Sequence, residues 1–239
     1  MAQRAGRTAG RRGGRTGRGC LGTAVRALLA LVVGYFVACA LLLVAYRWVE
    51  PPATTVQAQR LVEAAVAGEP YVLRYAPVPE EGQDDDLRHA AVASEDGRFY
   101  THNGFDWDEL QAARDDAERT GRPMRGASTI TQQLVKNLFL TTHRSVVRKA
   151  AEVPLTVLAE LVLPKDRILT LYLDVAEWGP GVFGAEAAAA HHYGTTADAL
   201  TREQAARLVA VLPAPLDRRP QDMGRTSDRI LRRMRQMGY

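Results

Sequence analysis

The chain has 239 residues, 46% of them apolar and 24% charged, which excludes a disordered or collagen-like polymer and leaves room for one globular domain of ordinary size. Its two cysteines, Cys20 and Cys39, both fall at or inside an apolar segment near the N-terminus, so a disulfide framework for the rest of the chain is excluded. The net charge of +4 hides an asymmetry: Arg4, Arg7, Arg11, Arg12, Arg15, Arg18 and Arg26 occupy the first 26 residues with no acid among them, and the remainder is slightly acidic.

Residues 1–26 are glycine- and arginine-rich and are expected to be a disordered basic tail. Neutralising nucleic-acid phosphates is one use for such a tail, but a topology signal that touches anionic lipid suits it better, and no nucleic-acid partner is expected. Residues 27–46 carry no charge. At about 1.5 Å per residue that run crosses the ~30 Å hydrocarbon core, so 27–47 reads as a transmembrane helix. FVAC at 36–39 faintly resembles a lipobox, but the apolar run continues past Cys39, as a spanning helix requires. The positive-inside rule keeps the N-terminus cytoplasmic, and everything after about residue 50 then lies on the external face of the inner membrane.

Residues 48–84 read as a linker and membrane-proximal segment, with a helix near 56–67 and a brief extended stretch at 71–78. The domain proper is expected over 85–239. The acidic turn EEGQDDD precedes a helix at about 85–95, and Asp106 is placed to cap another that runs to about Arg119. TGRPMRG breaks it. Helices are expected from Ser128, from about Ser145 to Leu163 with Pro154 inside, and over Asp166–Asp174. GPGVFG reads as a turn into the helix AEAAAAHHY. Thr201 and Gln204 form a capping-box pattern at the head of the next helix, and a last one lies near 226–236. The fold class is mostly α.

Glu95 follows the apolar run AAVAS, at the edge of a face that should be buried. Burial disfavours a charged carboxylate and raises its pKa toward a value useful for proton transfer. Read alone, an ED pair at a helix end is as well explained by a solvated terminus. In STITQQLVKN, Ser128, Gln132 and Lys136 recur every four residues and share a polar face opposite Ile130, Leu134 and Leu138. A hydroxyl, an amide and an ammonium in a row suit a sugar diphosphate; an ordinary exposed face is the alternative. Among 31 basic residues only Lys136, Lys149 and Lys165 are lysine, a compact point charge unlike the planar arginine fork. Arg148 and Glu152 are four apart, so they form either a surface ion pair or a second carboxylate set among cations.

EDGRFYTHNGFD, GASTITQQLVKN, RKAAE and KDRILTLYLDVAEWGPGVFGAEAAAAHHYG occur in that order. Together, from about Asp86 to Pro215, they resemble glycosyltransferase family 51, the peptidoglycan glycosyltransferases, and most closely its monofunctional biosynthetic members. The resemblance implies a lysozyme-like helical domain that polymerises lipid II into glycan strands by inverting transfer from undecaprenyl diphosphate. It implies Glu95 as catalytic base and Glu152 as its partner. It implies substrate contacts from Arg98, His102, Ser128, Thr129, Gln132, Gln133, Lys136, Asn137, Arg148 and Lys149. Expected partners are lipid II, the growing strand, membrane lipid and other cell-wall synthesis proteins. No dedicated metal site is expected, although a divalent cation, Mg or Mn, could ride on the substrate diphosphate. The absence of S-x-x-K and K-T-G leaves no serine acyl-transfer machinery. Where the family often reads YLN, this chain has Leu173-Asp174, and the segment 105–125 is more charged than a lipid-touching one should be. The alternatives are a lysozyme-like lytic enzyme and an inactive membrane scaffold.

Overall fold

The structure is a computed structural model and describes residues 16–239. It divides into two compact units, Met1–Ala38 and Cys39–Tyr239.

Helix α1 (Thr16–Ala45) contains one stretch, Gly22–Ala45, long and apolar enough to cross a membrane. Leu28, Leu31 and Val33 leave its surface exposed, as expected of a helix whose apolar residues have no protein to cover them. Of the tail expected to be disordered, residues 1–15 lie outside the described residues. Residues 16–26 differ from the expectation and form the first turns of α1: once a helix is nucleated, extending it adds one hydrogen bond per residue fixed.

The second unit begins at Cys39, within the last turns of that helix. Arg167 donates to the carbonyls of Tyr46 and Val49 (2.7 and 3.0 Å) and pairs with Glu50 Oε1 at 2.6 Å. These contacts, with the burial of Cys39, Leu43 and Tyr46, make residues 39–50 part of the packed domain. So is the rest of the segment read as a linker. Helix α2 (Thr55–Ala67) is closed by a Thr54/Gln57 capping box, and its Arg60 forms an ion pair with Glu177 at 2.9 Å. A long linker would leave such groups solvated; here they reach across more than a hundred residues of sequence.

The remaining elements are β1 (Arg74–Tyr75), α3 (Asp85–Glu95), α4 (Trp107–Thr120), α5 (Ile130–Phe139), α6 (Val146–Val162), α7 (Lys165–Val175), β2 (Glu177–Gly179), β3 (Val182–Phe183), α8 (Ala185–Tyr193), α9 (Arg202–Val209) and α10 (Gly224–Gln236). Helix α5 packs between α6 and α7, while α3 packs on α9 and α10. The GPGVFG segment is more than a turn. It closes a β2–β3 hairpin, and β3 also pairs in parallel with β1. Gly181 has φ +74, and a methyl there would overlap the Val72 carbonyl, so only glycine lets β1 approach.

Asp174 is buried against this sheet. Its Oδ1 accepts from Gln83 Nε2 at 3.1 Å and from the Val78 N–H at 3.3 Å. Its Oδ2 and Glu50 Oε2 are both buried without a hydrogen-bond partner among the described residues. Desolvation, reinforced by Glu50, pushes the Asp174 carboxyl up to about 8. A protonated aspartic acid presents the same donor and acceptor as an asparagine, which reconciles this position with the YLN pattern.

Candidate active site

Helices α3 and α5 meet at the base of a cleft. Glu95 ends α3, and its Oε2 accepts from Gln133 Nε2 at 3.0 Å while Ser94 Oγ donates to Oε1 at 3.2 Å. Buried Tyr172 donates to Gln133 Oε1 at 3.2 Å, which turns the amide so that its NH2 faces Glu95. Desolvation raises the Glu95 pKa; the hydrogen bonds from Gln133 and Ser94, and the charges of Lys136 and Arg218, act against it more weakly. The carboxyl opens on a cavity of about 470 Å³ lined by Ser94, Ser128, Arg98, Arg125 and Arg233 among others.

The next residue, Asp96, holds α5 in place. Its Oδ2 accepts from the Ile130 N–H at 3.0 Å, one of the orphan donors of that helix start. His102 Nδ1 accepts from the Gly104 N–H at 3.1 Å, so its Nε2 carries the proton and bonds Asp96 Oδ1 at 2.8 Å. Both ring nitrogens are spent inside the protein. His102 is thus a support for Asp96 rather than a free substrate ligand.

The head of α5 is one residue later than the expected Ser128. Thr129 is the N-cap, bonded to the Gln132 N–H (3.2 Å) and to Gly104 O (2.8 Å), and Gln132 Oε1 returns to the Thr129 N–H at 3.1 Å. These two candidate ligands therefore spend their principal oxygens on the cap, because an amide three residues beyond a threonine satisfies the helix start better than solvent does. Thr129 and Gln132 still line the cleft, and Gln133, Lys136 and Asn137 line a cavity of about 210 Å³ together with Tyr172 and Glu177.

On the far wall, α6 contributes Glu152, which is 2% exposed with both oxygens ion-paired: Oε1 with Arg148 and Oε2 with Lys149 at 2.7 Å. Lys149 Nζ also donates to Ser128 Oγ at 3.2 Å. A cavity of about 330 Å³ is lined by Ser128, Gln132, Gln133, Lys136, Arg148, Lys149 and Glu152. Lys136 lines this cavity with Glu152, feels the charge of both glutamates, and makes no ion pair or side-chain hydrogen bond with a described residue; burial lowers its pKa, opposed chiefly by Glu152. The third lysine plays no part here. Lys165 pairs with Glu160 at 2.8 Å and caps the ring of Phe99.

The structure thus brings Glu95, Ser128, Gln133, Lys136, Arg148, Lys149 and Glu152 together around one cleft. Asn137 lies at its margin, and Arg98 lines it while paired with Asp106 and, at 2.6 Å, with Asp108. Tyr172 and Arg233 also line its cavities: Tyr172 lies in the motif KDRILTLYLD, whereas nothing in the local sequence of Arg233, on the last helix, signals it.

A family model described as Transglycosylase matches residues 65–237. The chain belongs to the transglycosylase family. The match extends past both ends of the motif-bearing stretch, and it takes in α10, which packs on α3 and α9. Among similar proteins, a biosynthetic peptidoglycan transglycosylase of Pseudomonas putida is 49% identical over 191 residues, covering 80% of this chain and 79% of that one. The protein of the same description from Chromohalobacter salexigens is 45% identical over 218 residues, covering 90% and 93%.

Among the described residues of this transglycosylase one cluster has metal-ligand composition: Asp96, His102 and Asp106 offer ligand atoms within 4.8 Å of one another. It does not fit an ion. Asp96 is shared between His102 and the α5 backbone, and Asp106 between Arg98 and the Glu109 N–H (2.8 Å). At the cationic end both Glu152 oxygens are taken, so no carboxylate oxygen is free there to hold a Mg or Mn ion on a diphosphate.

Proposed function

We propose that this transglycosylase polymerises lipid II, with Glu95 as the base that removes the proton from the acceptor sugar hydroxyl. The supporting observation is the contrast between a desolvated carboxyl touched only by neutral donors and a cation cluster across the same cleft. As Glu95 takes the proton, the acceptor oxygen attacks the anomeric carbon of the growing strand from the face opposite the leaving group. The bond from that carbon to undecaprenyl diphosphate breaks with inversion. Negative charge grows on the departing diphosphate, and Lys136, Arg148 and Lys149 are positioned to stabilise it. Glu152 keeps the latter two cations in register. A lytic enzyme has no such anionic leaving group, which disfavours that reading.

The arrangement of the chain in the membrane follows from the same chemistry. Helix α1 acts as a single-pass anchor, with the arginine-rich end cytoplasmic and the catalytic unit on the external side, where the lipid-linked sugars are displayed. The testing experiment supplies purified protein with lipid II and, separately, with finished glycan. Elongation of lipid II without release of fragments supports the assignment. Release of fragments from finished strands establishes the lytic reading instead.

A further inference from the structure

We propose that Arg233, on the C-terminal helix α10, forms an anion subsite on the Glu95 cavity and binds a phosphate or carboxylate group of the lipid-linked sugar held there. The inference rests on the lipid II reading above.

Three arginines line that cavity: Arg98, Arg125 and Arg233. Two are already neutralised, Arg98 by Asp106 and Asp108 and Arg125 by Glu109. Arg233 makes no ion pair and no side-chain hydrogen bond with any described residue, although Asp96, Asp106, Asp108 and Glu109 line the same cavity. Its helix is anchored by buried Ile230 and Met234, which fixes where the side chain leaves the backbone. The guanidinium lies across Gly97, two residues beyond the base, and a methyl group at 97 would overlap it. Gly97 does not have a positive φ, so its backbone does not demand glycine, but a side chain there would have to push the end of the Arg233 side chain aside. A planar fork placed over a bare backbone, without a counter-ion, suits bidentate capture of a phosphate or carboxylate. The cations around Glu152 serve the leaving diphosphate from the other end of the cleft, so Arg233 addresses a different anionic group.

The test measures lipid II polymerisation by the full chain and by Arg233→Gln, Arg233→Lys, Gly97→Ala and the double variant Gly97→Ala/Arg233→Gln. Expected is a KM raised roughly tenfold or more in Arg233→Gln with kcat little changed, the loss of one charge-assisted hydrogen bond. Arg233→Lys should recover part of it. Gly97→Ala should reproduce the defect by displacing the guanidinium, and the double variant should be no worse than either single one. Two probes separate the sources. If the group is a phosphate, inhibition by inorganic pyrophosphate weakens about tenfold in Arg233→Gln. If it is a carboxylate, lipid II with amidated stem-peptide carboxylates shows the raised KM on the wild type and no further change on the variant. An Arg233→Gln enzyme with wild-type KM overturns the proposal. So does a raised KM that neither probe discriminates and that adds to the effect of Gly97→Ala, since a purely structural arginine behaves that way. Failure of the wild type itself to polymerise lipid II overturns the functional reading instead.

Discussion

Glu95 and Glu152 face the same cleft with the same side chain and opposite company. Glu95 ends a helix among apolar neighbours, and only an amide and a hydroxyl touch it. Glu152 is more deeply buried, yet each oxygen is held by a cation. The first arrangement leaves a carboxyl whose charge is poorly solvated and which gains from accepting a proton. The second makes a counter-ion, with Arg148 on one oxygen and Lys149 on the other. Identity of the residue therefore says little about its role; the neighbours decide.

The sharpest way to break this comparison is Glu95→Gln, which keeps shape and removes the base. Polymerisation should fall by roughly 10²–10⁴-fold with an unchanged circular dichroism spectrum and melting curve. A variant that polymerises near the wild-type rate would end the assignment. Glu152→Gln should cost less in rate, roughly 10–100-fold, because it disperses Arg148 and Lys149 without touching the proton transfer. It should also lower the thermal midpoint, since breaking a buried ion pair leaves charges uncompensated. Equal rate losses for the two variants, with no change in stability for the second, would erase the distinction between base and counter-ion.

Gln133→Leu probes the base more finely. The Gln133 hydrogen bond favours the ionised form of Glu95, so its loss raises that pKa further. A base must be ionised to act, and the acidic limb of kcat/KM should move to higher pH, with a loss of roughly tenfold near neutrality. An unmoved limb would show that Glu95 is not the group titrating there.

Asp174 is the control, a carboxyl desolvated like Glu95 but placed outside the cleft. Its folded pKa lies near 8, above the ordinary 3.8, so the stability it contributes is fully present at the low end and is lost as pH rises through that interval. Asp174→Asn supplies the missing donor toward Glu50 permanently. It should flatten the dependence between about pH 4 and 8 and raise stability at pH 8 by roughly 1–3 kcal/mol, with polymerisation unchanged. Denaturant titrations at several pH values would measure this, and an Asn variant that is less stable at pH 8 would contradict it.

Most of the elements were legible in the sequence because their signals are local. The cap at Asp106, the Thr201/Gln204 box and the acidic turn before α3 satisfy helix ends within three residues, and the structure places helices where they point. The apolar span of α1 is a matter of length and hydropathy alone. The spacing of Arg148 and Glu152 likewise foretold their pairing, and the four ordered motifs foretold the family. Three things were decided only in three dimensions. Residues 48–84 became part of the domain through pairs such as Arg60 with Glu177. His102, Thr129 and Gln132 were drawn into supporting the head of α5, since a buried helix end captures the polar groups closest to it. Arg233 reached the cavity of Glu95 from the last helix. A periodicity or a cap is written in neighbouring residues, but burial and pairing depend on which distant elements the core brings together. The sequence by itself determined the helices, the apolar span long enough to cross a membrane and the chemical inventory of this protein. Tertiary packing alone decided which carboxyl is left desolvated, which cations are left unpaired and which polar side chains are consumed in holding the site together.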